Sequence, residues 1–350
     1  MSDALVPVCQ NPFNAETPMP RIGAPITPTN LFYVRSHFPV PTVDTRAFTL
    51  RVTGLVEKSL SLSLLDLARL PQHHLTVTME CAGNGRKLMD PLPPGVTWNL
   101  GAVSTARFGG PRLADVLRLA GLRREAIELL CIGADLGAVE GAGVIAYERS
   151  LPTIEALRED VLLATTMNDE LLTPDHGYPV RMVVPGWYGM ASVKWLAELR
   201  AIAAPFTGFY QATHYVYRPG DWRDAEDFDG TPLSKMKPRA LMTSLADGAA
   251  LAAGQSVHLS GCAWSGFGAV RSVMFSADGG RTWSPCRLGH QASEYAHVSF
   301  EADWTPPAPG EYLLFVRAQD TGGRQQPVDP VKDALGYGNN SVQRLRVIAK

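Results

Sequence analysis

The sequence predicts an α+β protein in two parts, a mixed α/β domain over residues 1–238 followed by an immunoglobulin-like β-sandwich over residues 239–350. Three observations predict it. A chain of 350 residues exceeds what one hydrophobic core usually supports. In the first part, helical leucine spacing and alternating strands are interleaved and separated by proline-bearing loops. From about Arg239 helical periodicity stops, and short alternating runs divided by turn signals take over.

LSLSLLDLARLP, from Leu60 to Pro71, has a serine start, leucines at helical spacing and a proline stop. In PRLADVLRLAGL, Leu113, Val116, Leu117 and Ala120 form one apolar helix face, and Gly121 is the expected cap. Between them, in HLTVTMECAGNGR, Leu75, Val77 and Met79 alternate with Thr76, Thr78 and Glu80, the pattern of a strand running into a glycine-rich turn. The sandwich is expected from SVHLSGCAW, AVRSVMFSA, AHVSFEADW, EYLLFVRAQ and VQRLRVIA, with turns at ADGGRT and PPAPGE, all strands antiparallel. The polar stretch DWRDAEDFDGTPLSKMKPRA is expected to cover the domain boundary.

Composition excludes several classes of function. No stretch approaches the roughly 20 continuous apolar residues that span a bilayer. A net charge of -2 without blocks of like charge offers no general attraction to nucleic acid or an anionic membrane. MSDALVPVCQ carries no export address, so a cytoplasmic location is expected, or a periplasmic one if a leader has been removed. The five cysteines form no CxxC, CxxCH or zinc spacing, which argues against a haem attached to this chain and favours a reducing compartment. Cys9, Cys131, Cys262 and Cys286 read as buried small hydrophobes.

The sharpest local feature is TMECAGNGR. Cys81 ends a strand, and Gly83, Asn84 and Gly85 let the backbone turn tightly and expose N–H groups to an anion. Arg86 adds a positive charge that favours thiolate over thiol. In LFYVRSHFPVP, Arg35 and His37 lie two apart, so an extended backbone points both to one face. In PDHGYPVRMVVPG, Arg181 interrupts a run apolar enough to be a buried strand, and a buried guanidinium needs a carboxylate or a phosphate. His176 precedes it in a turn. GxSxG, HExxH and GxxxxGK[ST] are absent, and a cysteine/histidine hydrolase has no local feature selecting its histidine.

Taken in order, these segments resemble the sulfite oxidase family, which includes the molybdenum domain of eukaryotic nitrate reductases. The resemblance runs from NPFNAETP through LFYVRSHFPVP, TMECAGNGR, TWNLGAVSTARFGG, GADLGAVEGAGVIAYERSLP and DHGYPVRMVVPG to SVKWL, and more weakly through SADGGRTW to the C-terminus. It implies a molybdenum–molybdopterin cofactor, with Cys81 as the protein ligand of the metal. Tyr33, Val34, Arg35, Ser36, His37, Asp135, His176, Arg181, Ser192, Val193 and Lys194 match positions that hold the molybdopterin. Arg35, Arg86 and Tyr147 match the substrate pocket, Trp98 an aromatic wall of it, and His37 a group orienting Arg35 or Tyr147 by hydrogen bonding.

The activity implied is oxygen-atom transfer, foremost oxidation of sulfite to sulfate, with electrons leaving to an external acceptor such as a cytochrome c. By the same resemblance, the second domain is expected to mediate a homodimer. Reduction of another oxyanion such as nitrate, or of an S- or N-oxide, is the alternative at the same site, and an inactive binding or scaffolding protein is the alternative of another class. Two departures bear on the substrate. The family's usual CAGNRR is CAGNGR here. The arginine that sulfite oxidases add from the second domain is expected near SEYAHVSFEADW, and no arginine stands there.

Overall fold

The computed structural model describes residues 4–221 and 230–350. The first part is built on sheets, and its helices have only four to eight residues among those described. Its larger sheet is mixed and runs, in spatial order, Leu60–Leu62, Leu50–Gly54, Leu196–Ile202, Glu128–Val139, Gly143–Pro152. Leu50–Gly54 and Leu196–Ile202 are its parallel neighbours, and a parallel pair needs a crossover. The chain between them includes the cysteine strand Gln72–Glu80, which pairs antiparallel with Val103–Pro111 in a second, four-stranded sheet. The crossover therefore carries Cys81 across the core.

Both expected helices form. Leu64–Arg69 is capped reciprocally by Ser63 and Asp66. Leu113–Ala120 buries the four residues of its apolar face and ends on Gly121 in the left-handed region. The strand Gln72–Glu80 forms too, but its alternation does not separate core from solvent, because Val77, Thr78, Met79 and Glu80 are all buried. The sandwich packs over the polar face. Thr78 N donates to Tyr295 O at 2.9 Å, His297 N donates to Thr78 Oγ1 at 2.7 Å, and Glu80 meets Arg239 and Trp264. Each buried polar group thus finds a partner on the other domain.

All five expected sandwich runs are strands, joined by Arg239–Met242, Ala249–Leu251, Ser284–Pro285 and Arg287–Gln291. They form a four-stranded and a five-stranded sheet packed through Leu259, Phe300, Val316 and Val347. Ala249–Leu251 runs parallel to Gln343–Ala349, which corrects the all-antiparallel expectation. Of the polar stretch from Asp221 to Ala240, residues 222–229 lie outside the described residues. Leu233 and Met236 in its remainder are fully buried. Cys131 and Cys262 are buried as expected, whereas Cys9 and Cys286 are only half-buried. No helix among the described residues is long and apolar enough to cross a membrane.

Candidate cofactor and substrate site

The strand Gln72–Glu80 delivers Cys81 to a turn that is fixed by its own backbone. Cys81 N donates to Ala102 O and Asn84 N donates to Cys81 O, both at 2.9 Å. Gly85 adopts φ +83°, open to glycine at little cost. The thiol is buried, and burial raises its pKa while the Arg35 and Arg86 guanidiniums oppose the rise. Such a sulfur stays a thiol until a metal takes the proton's place. Among the described residues no cluster of three or more His, Cys, Asp or Glu could hold a metal. A metal on Cys81 must therefore bring further ligands with it.

Two cavities meet at this sulfur. Cys81, Arg35, His37 and Tyr215 line both. The inner one is lined by Tyr33, Ser36, Asp135, His176, Arg181 and Lys194. Arg181, at the start of the strand Arg181–Val183, is buried there and donates to His176 O at 3.1 Å, Ser192 O at 3.2 Å and Met79 Sδ at 3.3 Å. None of these is a carboxylate, and burial pulls its pKa down to about 10. Lys194 Nζ donates to Ser36 Oγ at 2.9 Å and Asp175 O at 2.8 Å; burial, helped by Arg181, takes it down to about 7. Burial also takes His176 down to about 3, and its Nε2 donates to Thr29 O at 3.1 Å. Asp135 Oδ1 is buried with no hydrogen-bond partner, and burial pushes this carboxyl up to about 6.

A buried guanidinium and ammonium held by neutral oxygens are costly unless an anion completes the site. An acceptor oxygen left without a donor asks for an N–H from a bound group. The residues therefore fit a molybdopterin, whose phosphate suits Arg181 and Lys194 and whose ring N–H groups suit Asp135. Tyr33 lies in the same wall, where a Cβ on Gly189 would stand 2.5 Å from its hydroxyl. Ser192 faces the cavity while its Oγ accepts from Val184 N at 3.1 Å. Val34 and Val193 are not brought to the cavity as side chains. Val34 exchanges backbone bonds with Ala15, and Val193 packs into the core while its carbonyl accepts from Met182 N.

The outer cavity opens from Cys81 toward the sandwich. Arg35 Nη1 donates to Asn14 Oδ1 at 3.3 Å and to Ser36 O, leaving it without a carboxylate. Arg86 Nη1 donates to Val96 O at 2.8 Å and Nη2 to Leu335 O at 2.9 Å, and Tyr337 covers its face at 4.9 Å. Trp98 is buried in the same wall. Tyr147 also sits at the site, but its hydroxyl donates to Met190 O at 2.8 Å.

His37 does not hydrogen-bond Arg35 or Tyr147. It stacks on Tyr147, with ring centroids 4.7 Å apart, and its Nε2 meets the Tyr215 hydroxyl at 2.9 Å. Burial and the nearby Arg35 hold His37 neutral, well below the usual histidine range, so only one of its ring nitrogens carries a proton. Tyr215, which lines both cavities beside Arg35, is the site residue that sequence reasoning misses. It follows a π-helix, Phe209–His214, whose Tyr210 and His214 line the same cavity. Nothing in the spacing of TGFYQATHYVY marks it, because the π-helix has neither period 2 nor 3.6. The sandwich reaches the cavity through Leu335 and Tyr337, not through SEYAHVSFEADW. In that segment Tyr295 instead bonds Arg158, and His297 bonds Thr105.

Two family models match the chain, an oxidoreductase molybdopterin-binding domain over residues 37–210 and a Mo-co oxidoreductase dimerisation domain over residues 233–350. The chain is 37% identical to the mitochondrial sulfite oxidase of Rattus norvegicus over 97% of its own length and 64% of the relative's. It is 40% identical to the sulfite oxidase of Gallus gallus over 93% of its length and 74% of the relative's. The sulfane dehydrogenase SoxCD of Paracoccus pantotrophus matches in structure with a TM-score of 0.82 and 29% identity, covering 95% of this chain and 84% of that one. The chain spans just under two thirds of the mitochondrial relatives' length. It belongs to the sulfite oxidase family of molybdopterin oxidoreductases. Its cofactor is accordingly molybdenum–molybdopterin.

Proposed function

We propose that the chain oxidises a small sulfur oxyanion, with sulfite first among the substrates, and passes the electrons to an external acceptor such as a cytochrome c. The observation that carries this reading is the meeting of two cavities at the Cys81 sulfur, the inner one holding Arg181 and Lys194 without a carboxylate bonded to either and the outer one open to a second small molecule. Bound molybdenum supplies two-electron redox and oxygen-atom transfer chemistry. Cys81 ligates it, and Arg181, Lys194, Ser36, His176 and Asp135 hold the pterin. Arg35 attracts and orients the oxyanion, aided by the charge of Arg86. Tyr215, bonded to His37, holds the cavity wall beside Arg35. The second domain is proposed to join two copies of the chain.

A second reading has its own observation. Leu335 and Tyr337 bring no charge from the sandwich, so the outer cavity favours a less highly charged substrate than a dianion, such as an S-oxide, an N-oxide, nitrate or a sulfane sulfur. Steady-state kinetics on molybdenum-loaded protein separates the two. Turnover of sulfite with a one-electron acceptor is expected, at about one molybdenum per chain. Turnover of nitrate with a reduced dye, and none of sulfite, would replace the first reading with the second.

A further inference from the structure

Arg239 is the first residue of the sandwich strand Arg239–Met242, yet its side chain leaves the sandwich and ends against the Cys81 turn. It is buried, as is its partner, with Nη1 2.8 Å from Glu80 Oε1 and 3.2 Å from Asn84 O. Glu80 immediately precedes Cys81 in the chain. The same carboxylate accepts from Asn84 Nδ2 at 2.9 Å and from Trp264 Nε1 of the sandwich at 3.0 Å. Asn339, also of the sandwich, donates to Gly85 O at 2.9 Å. The turn that carries the sulfur is thus gripped from outside by three groups of the other domain.

Gly85 completes the arrangement. A Cβ there would stand 2.6 Å from Arg239 Nη2 and 3.3 Å from Asn339 Nδ2. The bare backbone at position 85 and the long side chain at position 239 are therefore two halves of one fit. A guanidinium delivered by the sandwich fills the space that a side chain on the turn would take.

We propose that Arg239 is a positioning residue for Cys81: through Glu80 and Asn84 it fixes the turn that aims the sulfur and couples the sandwich to the metal site. The proposal rests on the reading of Cys81 as the metal ligand. Removing the guanidinium leaves a buried carboxylate uncompensated one residue from the sulfur.

The first test uses the apoprotein, with no cofactor in the readout. In Arg239→Gln, alkylation of Cys81 by iodoacetamide at a fixed pH, followed peptide by peptide, is expected to change its rate several-fold as the turn loosens. Cys131 and Cys262, buried in the core, serve as internal controls and should not change. Gly85→Ala should give the same signature by displacing an intact arginine, and Arg239→Lys should restore part of the parent behaviour. In loaded protein, Arg239→Gln should alter the electron paramagnetic resonance of one-electron-reduced molybdenum and lower kcat about tenfold, with KM within twofold. A folded Arg239→Gln protein with parent Cys81 labelling and parent resonance overturns the proposal. So does a Gly85→Ala protein that loses only thermal stability. If Arg239→Gln fails to fold, Trp264→Phe removes one bond to the same carboxylate and should move the same readouts less. Failure of the ligand reading is distinct, because it would appear as turnover by loaded Cys81→Ser protein while the apoprotein labelling result still stood.

Discussion

The two cavities that share Cys81 are built in opposite ways. The inner one takes its charged groups from strand ends and tight turns of one domain: Arg181 opens a strand, Lys194 closes the run into another, and Asp135 sits in the irregular middle of a third. The outer one is assembled from loops, a π-helix and the sandwich, with Arg35, Arg86, Tyr215 and Tyr337 arriving from four separate segments. Their electrostatics differ accordingly. In the inner cavity, cations are buried against neutral oxygens and await an anion. In the outer cavity, Arg86 already spends both terminal nitrogens on carbonyls and lies under Tyr337. The first is made to hold one anion permanently, whereas the second leaves Arg35 as the guanidinium best placed to meet a passing one.

The largest expected effect falls where the cavities meet. Cys81→Ser should abolish oxygen-atom transfer while most of the pterin stays bound, because a hard hydroxyl replaces a soft thiolate but the inner contacts remain. Turnover near the parent rate in fully loaded protein would remove Cys81 from the metal. Next comes Arg181→Met, which deletes charge-assisted bonds worth about 1.5 to 3 kcal/mol and should weaken cofactor retention ten- to a hundredfold. Full occupancy with only a raised KM would move Arg181 from the inner cavity to the outer one in function.

How much of each region the sequence discloses follows from the same contrast. The inner residues sit on or beside strands whose apolar runs are readable, so an arginine inside PVRMVV announces its own burial. The cysteine turn is legible for the same reason, since AGNG can only be a tight bend. Tyr215 has no such frame. Its importance arises from a bond to His37, 178 positions away in sequence. Leu335 and Tyr337 stand outside the segment expected to reach the site, because strand spacing predicts the sandwich but not which of its loops crosses to the other domain. Glu80 alternates with Val77 and Met79 as a solvent-facing residue would, and only the packed sandwich shows that its face is covered.

Within the outer cavity, Arg35→Gln should raise KM for an oxyanion about tenfold, and Arg86→Gln should raise it less, since its contacts are to backbone. Tyr215→Phe and Tyr147→Phe sharpen the point further. Both keep the ring, but the Tyr147 hydroxyl is occupied by Met190 O whereas that of Tyr215 meets the His37 ring in the wall shared by both cavities. Tyr215→Phe should therefore reduce kcat more than Tyr147→Phe. The reverse order, measured on protein of equal molybdenum content, would return the role to Tyr147.

The smallest effect concerns the seam on which the outer cavity depends. His297 of the sandwich shares a 2.6 Å bond between Nδ1 and Thr105 Oγ1, Thr105 meets Thr78 at 2.6 Å, and His297 N donates to Thr78 Oγ1. Burial holds His297 neutral, down to about 4 in the folded protein against an ordinary 6.5. A depressed value means that the unfolded chain takes up the proton first. The stability this residue contributes is complete above about pH 6.5 and is lost as pH falls toward 4. At pH 5.5, one unit below the ordinary value, the loss relative to neutral pH is about 1.4 kcal/mol. His297→Asn keeps a polar side chain and removes the titration. Denaturant unfolding of parent and variant between pH 7.5 and 5 should therefore give curves that converge as pH falls, with the variant losing less than the parent. Parallel curves would mean that His297 titrates in the folded protein as it does in the unfolded chain, and that the seam is looser than the ring of bonds through Thr78 and Thr105 implies.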